Sequence, residues 1–108
     1  MEENDFKERR KYIRIKATLN VKFLNPPKAT EIKGFTNDIG AKGLGLFINS
    51  ELSPQSYIEL KLENPYQEKS LYLKGTVVWS KTIDFSTYRI GIELEEADLT
   101  AMTELLEL

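Results

Sequence analysis

Apolar and polar residues alternate along most of this chain. Over residues 17–24, Ala17, Leu19, Val21 and Phe23 fall on one face and Thr18, Asn20 and Lys22 on the other, the period-2 signature of a half-buried strand. Asn25-Pro26-Pro27 ends it, because proline has no N–H for a ladder. A second strand is predicted over 31–39, a tight hairpin connection over 40–43, and a third strand over 44–48, with a turn at Ser53-Pro54. Ile58, Leu60 and Leu62 alternate with Tyr57, Glu59 and Lys61 in a fourth strand that Asn64-Pro65 closes. The longest strand covers about 70–81, where strict alternation puts Leu71, Leu73, Val77 and Trp79 on one face and assigns Val77 and Trp79 to the core. Gly75, on that same face, permits a bend or close packing. A last strand runs over 89–94 with Ile90, Ile92 and Leu94 inward.

The period then changes. Asp98 is a good N-cap, and Leu99, Met102, Leu105 and Leu106 form an apolar stripe at helical spacing. The predicted fold class is therefore all-β with a terminal helix: a six-stranded antiparallel β-barrel followed by a short C-terminal α-helix. Short turns dictate antiparallel pairing, and closure removes exposed sheet edges. The expected organisation is a basic, mobile N-terminal segment over 1–16, which lacks a strand pattern, and the barrel with its helix over 17–108.

Composition narrows the chemistry. The 108 residues suit one domain, and 41% hydrophobic with 30% charged residues is an ordinary globular balance. There is no cysteine and no histidine, which removes thiolate chemistry, the commonest general base and the commonest metal ligand. Binding is thus a better expectation than catalysis, and no cofactor is expected. No apolar run approaches the ~20 residues of a membrane span, and the acidic start is unlike a secretory signal, so a cytoplasmic location is expected.

The net charge of −2 hides an asymmetry. Residues 1–37 hold nine basic and five acidic side chains, and residues 38–108 hold six and twelve. The excess concentrates between Lys7 and Lys16, where six of ten residues are Lys or Arg. The acidic remainder repels a long polyanion, so nucleic acid is not the expected partner. A small anion captured near the N-terminus is compatible with this distribution.

Three features stand in order along the chain. Arg10-Lys11-Tyr12-Ile13-Arg14 places two arginines four apart; Asp38-Ile39-Gly40-Ala41-Lys42-Gly43 spans the predicted hairpin; and Gly75-Thr76-Val77-Val78-Trp79 precedes Tyr88-Arg89-Ile90-Gly91-Ile92-Glu93-Leu94. Together they resemble the PilZ domain family, from about Glu8 to Leu108. The family pattern is RxxxR followed by [D/N]xSxxG. Arg10 and Arg14 match the first motif, Asp38 and Gly43 the ends of the second, and Gly40 replaces its serine.

The resemblance implies a receptor for the second messenger cyclic di-GMP, in which Arg10 and Arg14 grip guanine and phosphate and Asp38 reads a guanine edge; Arg9, Gly40 and Gly43 are expected to complete the site. Its chemistry suits these residues. Guanidinium forks match the O6/N7 edge of guanine or clamp phosphate, and a carboxylate accepts from the guanine N1–H and N2–H edge. Glycines at 40 and 43 can take φ > 0 and admit a close ligand. Arg9 supplies a third guanidinium, from which two stacked cyclic di-GMP molecules per chain are expected. The N-terminal segment is expected to change conformation on binding and to signal to a protein partner in trans. The alternative is a PilZ-like interaction module without ligand, favoured by Gly40.

Overall fold

The computed structural model describes residues 14–40, 42–96 and 99–106. Seven strands form one antiparallel sheet: β1 (Arg14–Lys16), β2 (Asn20–Asn25), β3 (Lys33–Gly40), β4 (Gly43–Ile48), β5 (Tyr57–Asn64), β6 (Lys69–Asp84) and β7 (Thr87–Leu94). Helix α1 (Leu99–Leu106) follows. The strand order is β1-β3-β2-β5-β6-β7-β4, and β4 also pairs with β3. Strands β2 to β7 therefore close a six-stranded barrel, with β1 as an extra strand on the β3 edge.

Alternation accounts for most of this arrangement. Leu19, Val21 and Phe23, then Ile58, Leu60 and Leu62, then Ile90, Ile92 and Leu94 all point into one core. Met102 and Leu105 of α1 are buried against it. The helix is also tied by a polar clamp: the buried Asn64 donates through Nδ2 to the Leu105 carbonyl at 2.8 Å and accepts through Oδ1 from the Tyr66 N–H at 2.9 Å. A buried amide bonded on both sides avoids the cost of an unsatisfied polar group.

Three elements differ from the sequence expectation. The proline pair does more than end β2, because Pro27–Glu31 forms a 3-10 turn that buries Ala29. Arg14–Lys16, expected within a segment lacking a strand pattern, pairs with β3 as Arg14↔Gly40, Ile15↔Ile39 and Lys16↔Asp38. Alternation missed this strand because it is three residues long and all of it is exposed. The buried Thr36 hydroxyl secures its connection to β2, accepting from the Leu19 N–H and donating to the Ala17 carbonyl. Finally, β6 and β7 extend past the barrel as a hairpin. At its tip the Ser86 backbone N–H, bonded to Asp84, is the main cause holding that carboxyl below its ordinary range. Among the described residues no helix is long and apolar enough to cross a membrane.

Candidate functional site

Two irregularities in the ladders decide which side chains face outward here. The β3–β4 register slips between Thr36 and Asp38, and the β6–β7 register slips between Val77 and Trp79. A bulge inserts one residue and reverses the side-chain phase beyond it. Thr36 is fully buried while Asp38, two residues on, lies on the outer face; Val77 is fully buried while Trp79 is 42% exposed. The assignment of Trp79 to the core is thus corrected. That of Val77 stands.

The two bulged strands flank a bare strip. In cross-strand register, Lys16 lies opposite Asp38, Asp38 opposite Gly45, Gly45 opposite Gly91, and Gly91 opposite Trp79. The central glycines are required for space. A Cβ on Gly45 would stand 2.5 Å from Asp38 Oδ1, and one on Gly91 would stand 2.2 Å from Trp79 Nε1. The carboxylate therefore leans across β4 and the indole across β7, each over a backbone without a side chain. No described glycine has a positive φ, so Gly40 and Gly43 do not serve as left-handed turn residues. A Cβ on Gly43 would lie 3.0 Å from the Ile92 carbonyl oxygen and at an ordinary contact distance of 3.4 Å from Arg14 Nη1.

Arg14 and Asp38 are diagonal neighbours on one face, within reach of a long side chain. Arg14 Nη2 donates to Asp38 Oδ1 at 2.7 Å, with the two side chains 39% and 20% exposed. A pair this accessible contributes only ~0–1 kcal/mol to folding. Of the six residues expected to bind ligand, Arg14, Asp38, Gly40 and Gly43 meet around one groove. Arg9 and Arg10 lie outside the described residues.

The groove encloses about 620 Å³, within the usual range for a small-molecule site. Its lining adds residues the sequence reading did not single out as ligand contacts: Lys16, Lys42, Val78, Trp79, Arg89, Gly91 and Glu93. Four lining side chains are basic, Arg14, Lys16, Lys42 and Arg89, and two are acidic, Asp38 and Glu93. The groove is therefore net positive by two in a chain of net charge −2. Gly45 and Gly91 carried a legible signal, since glycine inside a strand pattern often marks a close approach. Trp79 carried none, because a bulge changes no residue type.

Beside this strip, Phe35, Phe47 and Arg89 form a parallel cross-strand row. The two phenyl rings pack at 5.6 Å between centroids. The Arg89 guanidinium carbon lies 5.9 Å from the Phe47 ring centre and 5.7 Å from that of Trp79.

The family model for the PilZ domain matches residues 8–108. Among solved structures, the Bacillus subtilis inhibitor of motility MotI/DgrA superposes with a TM-score of 0.66 at 20% identity, covering 90% of this chain and 47% of that one. The PilZ domain of Escherichia coli YcgR with c-di-GMP gives 0.68 at 18% identity, covering 90% and 86%. YcgR in complex with c-di-GMP gives 0.69 at 16%, covering 90% and 42%. The chain thus spans about half the length of MotI/DgrA and of the longer YcgR chain. At these identities the likeness establishes the fold. No curated protein matches the chain at the sequence level.

Proposed function

The chain belongs to the PilZ domain family, and on that premise we propose that it is a receptor domain for cyclic di-GMP. The observation that carries this reading is the Arg14–Asp38 pair beside a positive groove floored by glycine. A cyclic dinucleotide has two phosphates and two flat bases. A lining charge of plus two offsets the phosphates, and the glycines give the Asp38 carboxylate and the Trp79 indole room to lean across the strands. Asp38 accepts from the N1–H and N2–H edge of guanine, an edge on which adenine has no donor pair. The E. coli YcgR structures that this chain resembles hold c-di-GMP, which lends the reading further support.

The proposal extends to the N-terminus. Arg10 completes the RxxxR motif with Arg14, and Arg9 supplies the additional charge for a second, stacked cyclic di-GMP. The segment preceding β1 closes over the ligand, and the resulting change is read by a protein partner in trans, in the cytoplasm. Gly40, which lacks the hydroxyl of the family's serine, favours the competing reading of an interaction module without ligand.

Calorimetric titration decides between the two readings. Cyclic di-GMP should bind and cyclic di-AMP should not. Arg14→Ala removes a charge-assisted contact worth ~1.5–3 kcal/mol, about tenfold or more in affinity. Asp38→Ala should weaken binding and admit cyclic di-AMP. If wild-type protein gives no heat with cyclic di-GMP, the interaction-module reading replaces this one.

A further inference from the structure

Among the described residues Arg89 has no counter-ion. The only ion pairs among them join Arg14 to Asp38 and Lys61 to Glu63. Arg89 instead makes cation–π contacts with Phe47 and Trp79, and its Nε is buried with no hydrogen-bond partner among the described residues. A buried N–H left without an acceptor is a standing cost in a folded protein. Nε itself is enclosed, but Arg89 lines the groove, so an acceptor that enters the groove meets its guanidinium.

The other cations of the groove cannot fill the same role. The Nη2 atom of Arg14 already donates to Asp38, so that pair is neutral as a unit. Lys16 is an exposed residue of the short edge strand and Lys42 adjoins the hairpin bend, so both are point charges on flexible stems. Among the described residues lining the groove, only Arg89 is a planar fork in contact with two rings. Holding a side chain in place before binding reduces the ordering cost of association.

Building on the cyclic di-GMP reading above, we propose that Arg89 is a ligand-contacting residue of this groove, its guanidinium bonding a phosphate oxygen of the nucleotide. The guanidinium carbon lies 5.7 Å from the Trp79 ring centre, so a phosphate bound there changes the charge that the indole feels. The indole therefore senses occupancy of the site, and it is the protein's only tryptophan.

The test is calorimetric titration of the full chain with cyclic di-GMP, together with Trp79 fluorescence, on wild type, Arg89→Met and Arg89→Lys. Methionine keeps an unbranched apolar stem against the rings without charge, and lysine keeps the charge without the fork. Arg89→Met should lose roughly tenfold to hundredfold in affinity and lose part of its salt dependence, since one charge fewer is screened. Arg89→Lys should fall between the two. The ligand-induced change in Trp79 emission should shrink in both variants. Wild-type affinity and an unchanged salt slope in Arg89→Met, with Arg14→Ala still weakened, would overturn the role of Arg89 and leave the receptor reading intact. Absence of binding by the wild type would overturn both. A variant whose thermal melt shows loss of fold would leave the decision to the other.

Discussion

Two outward faces of the same barrel are built on opposite principles. On the β5–β6 face the long polar side chains satisfy one another. Lys61 Nζ lies 3.2 Å from Glu63 Oε2 and 5.7 Å from the Tyr72 ring centre, and the Tyr57 hydroxyl donates to Glu59 at 3.2 Å. Desolvation, followed by the fields of Glu95 and Glu59, pushes the Tyr57 phenol above its ordinary range. This is a solvated sheet surface that holds an ion pair, a cation–π contact and a side-chain hydrogen bond. On the β3–β4–β7 face, glycines replace the central side chains, Arg89 has no counter-ion among the described residues, and an indole and a carboxylate lean over bare backbone. A face that leaves a buried guanidinium nitrogen unbonded differs from one whose polar groups bond each other, and the difference singles out that face as the candidate site.

The sharpest way to break this contrast is to fill the bare strip. Gly45→Val adds a β-branched side chain, good for a strand, where a Cβ would stand 2.5 Å from Asp38 Oδ1. The carboxylate must move and its bond to Arg14 is lost. Cyclic di-GMP affinity should fall by at least tenfold, about 1.4 kcal/mol, while the thermal midpoint changes little. Affinity equal to wild type would mean that the strip is not the site.

A smaller effect of opposite sign is expected at Gly40. Because no described glycine has a positive φ, serine at this position meets no left-handed backbone. Gly40→Ser should tighten cyclic di-GMP binding by one neutral hydrogen bond, ~0.5–1.5 kcal/mol. Weaker binding with an unchanged fold would remove the missing hydroxyl as an explanation for the departure from the family motif.

The smallest effect belongs to the β5–β6 face. Lys61→Ala breaks a partly exposed ion pair and a cation–π contact, and should cost less than about 1 kcal/mol in denaturant unfolding. Ligand affinity should stay within twofold of wild type. A loss of affinity as large as that of Gly45→Val would erase the distinction between the two faces.

The barrel itself was legible because burial on one face imposes period 2 on a strand, and that period survives in residue types. Leu19, Val21 and Phe23, or Ile90, Ile92 and Leu94, could have been placed inward from their spacing alone, as could the Met102 and Leu105 stripe of the helix. Arg14, Asp38, Gly40 and Gly43 were legible as a candidate site because their order and spacing match a motif. Strand β1 was illegible, since three exposed residues bury no face. The outward turn of Trp79, the lean of Asp38 over Gly45 and the contact of Arg89 with two rings were decided in three dimensions. Each follows from which strands pair and where a ladder slips by one residue. A bulge is chosen by how two distant segments align, so it leaves no mark on the local pattern of either.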